Sequence, residues 1–310
     1  MNPTRFHEGE RSVQRRAGET AIAERNNAMR SDAVIGGARP FVGRQFMMAV
    51  GSTDASGRVW ASLLFGKPGF VQTDDEGHAV EIAVTPADRD PVDPVWRNMN
   101  PASDAGLLFI ELGTRRRYRV NGTVDRVDDH GVRITVREAY PNCPKYIQRR
   151  ELHALGGSEE ASQAAYGNVL RGAAADIVRQ ADTLFVATRH ATTGADVSHR
   201  GGNIGFVQIV DDTTLRIPDF VGNSLFNTLG NLQVDPRAGL CIPDFEDGRL
   251  LQLTGTAVVQ WDQDDPAGET GGTHRYWDFK VESWILRDAM QRANWIYLDA
   301  SPYNPPFHHP

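Results

Sequence analysis

The sequence predicts a mainly β protein built from two similar antiparallel barrel units with peripheral helices. Its strand signals are short runs rich in Val, Leu, Ile, Phe and Thr, punctuated by Gly and Asp. The same organisation occurs twice, and the repeat keeps its order. "ASLLFGKPGFV" (61–71) lies without gaps on "VSHRGGNIGFV" (197–207), at an offset of 136 residues. "AGLLFIELGTRRRYRVNGTV" from Ala105 lies on "AGLCIPDFEDGRLLQLTGTA" from Ala238, at an offset of 133. Offsets this close point to an internal duplication, with units near 40–140 and 178–262. Short antiparallel strands protect their edges best by closing into a small barrel.

Residues 1–39 read as an N-terminal arm, with a polar, alanine-bearing helix or extended segment from Glu8 to Met29. The first unit, 40–150, opens with "QFMMAVGS", a reversal at "TDASGR", and "VWASLLFG", which together signal a hairpin. Residues 151–177 read as a helical linker, rich in Ala and charge and interrupted at "GGSEE", with Ser158 as a candidate cap. The second unit, 178–310, repeats the hairpin at "DTLFVATRH" and "ATTGADVSHRGG". Within it "NSLFNTLGNLQVDP" predicts a short helix, with Leu225, Phe226, Leu229 and Leu232 on one apolar face and Pro236 ending the run. The tail from Trp284 starts amphipathic, predicting a C-terminal helix, and ends in prolines and aromatics.

Composition narrows the chemistry. With 310 residues the chain can bury a full core without a disulfide or a metal. Two cysteines make neither a disulfide framework nor a thiolate metal site. No apolar run is long enough to span a bilayer and the N-terminus lacks the apolar core of a secretory signal, so a cytoplasmic location is expected. A net charge of -7 argues against nucleic acid as a partner, since a phosphate backbone rewards concentrated positive charge. The one basic run, "RRRYR" at 115–119, reads as an alternating strand with its solvated face outward. The nine histidines are scattered, His308 and His309 among them, and form no metal-ligating motif, so no metal is expected. A GxxxxGK[ST] phosphate loop is also absent.

The second unit carries the candidate site. Where the first unit has Leu63, Leu64 and Phe65, the second has His199, Arg200 and Gly201. A supporting strand has no need of such a replacement, and an arginine fork beside glycines suits the close approach of an anion. Ser198 adjoins them. Asn223, Ser224, Asn227 and Thr228 follow on one turn and helix start, offering hydroxyl, amide and free backbone donors to a phosphate, or alternatively simple caps. Gln252 is a further candidate contact, its counterpart in the first unit being Arg119. Trp96, Trp277, Trp284 and Trp295 are candidates to stack on a planar ligand. Cys143 reads either as redox-active or as a small buried residue, and Cys241 as core.

These blocks, with "EAYPNCPKYIQRR" and "FHEGERSVQRRAG", resemble pyridoxamine 5'-phosphate oxidase-like proteins of the flavin mononucleotide (FMN)-binding split-barrel fold. The resemblance implies two six-stranded antiparallel Greek-key split barrels, with a degenerate cofactor site in the first unit and FMN bound by the second. It implies an FMN-dependent oxidoreductase acting on a small organic substrate, its catalytic residues unassigned. The alternatives are a non-catalytic flavin- or haem-binding protein of the same fold and a deazaflavin-dependent reductase. Single-barrel relatives pair as dimers; a duplicated chain forms that interface internally, with a further homodimer left open. Where the family has Ser-Arg-Lys before its Asn-Pro, this sequence has Phe226, Asn227 and Thr228 before Asp235 and Pro236. The phosphate grip therefore falls to Arg200, Ser224 and Asn227.

Overall fold

The structure, a computed structural model, describes residues 6–157, 163–288 and 291–306. The expected cap at Ser158 and the pair His308 and His309 lie outside these residues. Helices α1 (Glu8–Arg16), α2 (Thr20–Asn27), α3 (Arg39–Gly43), α4 (Pro94–Asn98), α5 (Gly172–Gln180) and α6 (Asn227–Val234) surround a fold dominated by strands.

Strands β1 (Met47–Thr53), β2 (Val59–Phe65), β3 (Val71–Thr73), β4 (Ala79–Ile82), β5 (Asp104–Glu111), β6 (Arg116–Asp128) and β7 (Gly131–Pro141) form one sheet, in the order β2-β1-β5-β6-β7-β4-β3. Next come β8 (Arg149–Gly157) and β9 (Ala164–Gly167), then β10 (Thr183–His190), β11 (Gly194–Gly201), β12 (Gln208–Asp211), β13 (Thr214–Pro218), β14 (Arg237–Asp244), β15 (Arg249–Gln260), β16 (Tyr276–Asp288) and β17 (Gln291–Asp299). The second sheet runs β11-β10-β14-β15-β16-β13-β12, with β9 added on β16. The two orders are the same path walked twice. Pair registers agree as well: Met47 faces Phe65 and Thr183 faces Gly201, while Leu108 faces Arg119 and Cys241 faces Gln252. The duplication read in the sequence is therefore carried in strand order and register. Each path holds seven strands where six were expected, because β3 and β12 are too short to announce themselves by alternation.

Each sheet covers its own core, one around Met48, Leu107 and Phe109, the other around Val186, Leu240 and Trp277. A third core is shared by the units: Ala49, Ala61 and Leu63 meet Phe185, Val197 and Cys241. Glycines let the backbones approach there in matching pairs. A Cβ on Gly106 would lie 2.8 Å from backbone atoms of Asp196, and one on Gly239 would lie 2.5 Å from the carbonyl oxygen of Val59 and 2.6 Å from Cα of Trp60.

The expected linker helix is corrected in part. Only Gly172–Gln180 is helical; residues 149–157 are strand β8, and the expected C-terminal helix is instead the end of β16 followed by β17. β8 and β17 pair with each other as a two-stranded ribbon. Alanine-rich local composition favours helix, yet each segment finds a strand partner more than a hundred residues away, and that pairing prevails over local propensity.

The N-terminal arm forms α1 and α2. His7 and Glu10 close a capping box at the start of α1: the His7 ring accepts from Gly9 N–H, and Glu10 accepts from the His7 amide at 3.0 Å. α1 then packs on α6 through facing glycines; a Cβ on Gly9 would lie 2.1 Å from the carbonyl oxygen of Gly230.

Candidate functional site

A pocket opens where β6 of the first unit faces β11 of the second and the segment leading into α6. Seven of the sequence-predicted residues line it: Ser198, His199, Arg200, Asn223, Ser224, Asn227 and Thr228. Gln252 does not. It is fully buried at the opposite end of the unit interface, donating to the Ala61 carbonyl at 2.9 Å, the Ser62 hydroxyl at 2.9 Å and Asp93 at 3.2 Å. The reason is the pairing of the units: each unit's long central strand reaches across to the other unit's hairpin. Arg119, the first-unit counterpart of Gln252, is therefore the residue that reaches the pocket.

The run 115–119 is likewise corrected. Arg116 points outward, but Arg117 and Arg119 turn into the pocket. Arg119 is buried and held by the Val197 carbonyl at 2.9 Å, the Ser198 hydroxyl, Tyr140 at 2.9 Å and Asp196 at 2.8 Å. Arg117 pairs with no carboxylate among the described residues; its acceptors are the Cys143 carbonyl at 2.7 Å, Nδ1 of His199 at 3.1 Å and, at 3.5 Å each, the carbonyls of His199 and Lys145. Burial, with Arg200 and Arg119 close by, pushes its guanidinium down to about 9. Arg200 meets its nearest carboxylate, Asp219, only at 3.8 Å, and the other oxygen of Asp219 is taken by Arg275 at 3.0 Å.

His199 is buried, and burial together with Arg117 and Arg200 holds its pKa well below 6.5, so the ring is neutral at pH 7. A guanidinium can only donate, so Nδ1 accepts from Arg117 and Nε2 carries the proton. That Nε2 is buried without a partner among the described residues, as are Nε of Arg200 and Nε of Arg119. Three residues of the pocket lining thus each hold a buried N–H donor without an acceptor, which costs free energy.

The remaining predicted residues form the walls. The Ser198 hydroxyl accepts from Thr228 at 3.1 Å, and Asn227 accepts from Tyr140 at 3.0 Å while donating to Glu10 at 2.7 Å. Ser224 donates to Glu19 at 2.6 Å, so it is neither a helix cap nor a free donor. Asn223 accepts from the Leu225 amide at 3.2 Å. α6 starts at Phe226 with no side-chain cap, which leaves first-turn amides at the pocket wall without intrahelical partners.

None of the four tryptophans proposed to stack on a ligand lines the pocket; Trp277 is sealed in the second core, and Trp295 packs between Phe46 and Phe245. The pocket's aromatics are Tyr146 and Phe220, with centroids 4.9 Å apart, and Phe226. Cys143 borders the pocket half-buried, whereas Cys241 is core and its thiol is pushed up by burial. The histidines are less scattered in space than in sequence. His7 and His190 stack with centroids 4.0 Å apart beside Glu8, but each spends Nδ1 on an amide N–H, that of Gly9 or Thr192.

No protein-family model and no curated relative matches the sequence. Solved structures do match in part. HupZ of Group A Streptococcus is 15% identical over 41% of this chain and 93% of its own, with a TM-score of 0.29. A pyridoxamine 5'-phosphate oxidase-related, FMN-binding protein of Nostoc punctiforme is 14% identical over 43% of this chain and 97% of its own, with a TM-score of 0.29. A Clostridium acetobutylicum protein related to general stress protein 26, of the pyridoxinephosphate oxidase family, is 12% identical over 40% and 91%, with a TM-score of 0.29. Each of these three structures matches about two fifths of this chain and more than nine tenths of its own length.

Proposed function

We propose that the chain holds one FMN in the pocket between β6 and β11 and acts as an FMN-dependent oxidoreductase on a small organic substrate. In this reading each sheet is a split barrel and the internal pairing of the units does the work of a dimer. The observation that carries it is the pair of unpartnered buried donors, Nε2 of His199 and Nε of Arg200, on the same pocket as Arg117, which pairs with no carboxylate among the described residues. A phosphate meets that demand in charge and in acceptor count.

Arg117 and Arg200 bind the phosphate oxygens, and the open amides at the start of α6 add donors without further charge. His199 keeps its proton on Nε2 and offers it as a neutral donor. Tyr146, Phe220 and Phe226 supply an apolar wall for the ring system and exclude water from it. When bound, the flavin supplies the hydride and electron chemistry. Asn227, Ser198 and Thr228 hold Arg119 in place behind the site.

The pseudo-equivalent position has no such demand. There Arg287 donates to Asp90 at 2.7 Å, to Asp93 at 2.5 Å and to Gln252 at 2.8 Å, all buried, so the space is filled and its cation already has carboxylate partners. One cofactor per chain is expected. The test is the visible spectrum and released-cofactor mass of protein purified without added flavin, followed by titration with FMN. A flavin spectrum, or saturation at one equivalent, supports the reading; a colourless protein that does not bind added FMN overturns it.

A further inference from the structure

The segment that leads into α6 lines the pocket in a conformation its own side chains disfavour. Ser224 and Phe226 stand at φ 62° and 59°, the left-handed region that residues other than glycine rarely adopt. The groups that hold it there come from the N-terminal arm. We infer that Gln14, Glu19 and Asn26 are positioning residues of the pocket, keeping 223–227 in the shape that faces the ligand. The inference rests on the proposed function and deepens it, since none of the three lines the pocket.

Each arm residue grips a different point. Asn26 donates to the Asn223 carbonyl at 2.8 Å and Gln14 to the Leu225 carbonyl at 3.2 Å, while Glu19 accepts from the Ser224 hydroxyl at 2.6 Å. The Asn223 carbonyl belongs to the peptide plane before Ser224, and the Leu225 carbonyl to the plane before Phe226. Each bond therefore pins a plane that leads into a left-handed residue. Between the two, Leu225 is buried in a small core with Phe6 and Ala23 of the arm and Tyr140 of β7.

The duplication supplies a comparison. Helix α4 lies between β4 and β5 as α6 lies between β13 and β14. α4 begins with its own cap, Asp93, whose side chain accepts from the Val95 amide at 3.1 Å, and no residue from 86 to 98 has a positive φ. Pro91 and Pro94 stiffen that approach further. α6 has no side-chain cap, and its approach is left-handed at two residues and bonded to the arm. The strained approach is the one that faces the open pocket.

The test compares the full chain with the double variant Gln14→Met and Asn26→Ala, which removes both donors to the segment's backbone. Hydrogen exchange over 223–231 is expected to rise about tenfold, with exchange over β10 unchanged as the internal reference. FMN affinity should fall about tenfold. Ser224→Gly, added to the double variant, should recover much of that affinity, because glycine takes the left-handed conformation without a steric cost. An arm that only stabilises the fold would not give this rescue. Should the double variant unfold, Asn26→Ala alone, on the half-buried side of α2, carries the same comparison. Unchanged exchange over 223–231, an equal rise over β10, unchanged FMN affinity despite faster exchange, or no rescue by Ser224→Gly overturns the inference. A chain that binds no FMN at all overturns the flavin reading instead, and the exchange comparison alone then decides whether the arm holds the segment.

Discussion

Arg119 and Gln252 occupy the same position on the duplicated central strands, and each bonds the same two groups of the opposite unit. Arg119 takes the Val197 carbonyl and the Ser198 hydroxyl; Gln252 takes the Ala61 carbonyl and the Ser62 hydroxyl. The pseudo-two-fold relation is thus written in hydrogen bonds, and the two ends diverge only beyond them. Behind Arg119 lies an open cationic pocket, and behind Gln252 lies the internal cation of Arg287.

That divergence predicts unequal consequences of mutation. Arg200→Ala or Arg117→Ala should leave the fold intact and weaken FMN binding about tenfold or more, since each removes a charged donor. Leu64, 6% exposed in the first core, is the counterpart of Arg200, and Leu64→Ala should instead cost about 2–5 kcal/mol of stability with little change in cofactor affinity per folded molecule. FMN titration beside denaturant unfolding separates the two. Equal loss of cofactor in all three folded variants would remove the assigned roles.

The filled end should behave as a buried ion pair. Arg287→Met leaves Asp90 and Asp93 uncompensated and is expected to cost about 3–5 kcal/mol. Adding Asp90→Asn and Asp93→Asn should recover most of that loss. The charges then leave together, while the carboxamide oxygen introduced at position 93 can still accept the Val95 N–H that Asp93 accepts now. Urea midpoints of the single and triple variants give the comparison, and a triple variant no more stable than the single one would show that the pair does not matter as a charge set.

Much of this was legible in the sequence and some was not, for a consistent physical reason. The exchange of Leu63, Leu64 and Phe65 for His199, Arg200 and Gly201 was legible as a break in the repeat, and those three second-unit residues line the pocket. Arg117 and Arg119 were visible too, but an alternating strand does not say which face is inward; that depends on the unit packed against it. Gln252 was placed on the wrong side because the site draws on both units, and only the crossing of the units reveals which counterpart serves which end. β8 and β17 were lost to helix because their partners lie more than a hundred residues apart in sequence.

Gly106 and Gly239 offer a test of the interface itself. Both variants to Ala force backbones apart and should cost about 1–3 kcal/mol, as overpacking does. Their effects on ligand binding should differ, because Gly106 lies against Asp196, two to four residues before Ser198, His199 and Arg200, whereas Gly239 lies against Trp60 at the filled end. Gly106→Ala should therefore lower FMN affinity more than Gly239→Ala does. Equal affinities at equal stability loss would mean that the interface does not position the pocket.

The N-terminal arm makes the last prediction, through two groups whose pH effects oppose. Burial lowers His7 from 6.5 to about 4, with His190 adding to the effect. Burial also raises Glu10 from 4.5 to about 7, against the opposing pull of Arg30. Between about pH 4.5 and 6.5 the unfolded chain carries the proton on His7 and the folded chain does not, so this group makes stability rise with pH. Over the same window the folded chain holds the proton on Glu10 and the unfolded chain does not, so that group makes stability fall with pH. The two slopes cancel in the intact protein. Glu10→Gln should uncover the His7 slope, with stability lost on acidification below pH 6.5, and His7→Asn, which keeps a capping side chain, should uncover the opposite slope, with stability lost as pH rises from 4.5 to 7. Each limb amounts to about 3 kcal/mol when a shift of this size is converted at 1.36 kcal/mol per pKa unit. Other ionisable groups add the same background to both variants, so the difference between their denaturation midpoints across pH isolates the pair. Parallel pH profiles in the two variants would show that neither group is shifted as the burial of α1 requires.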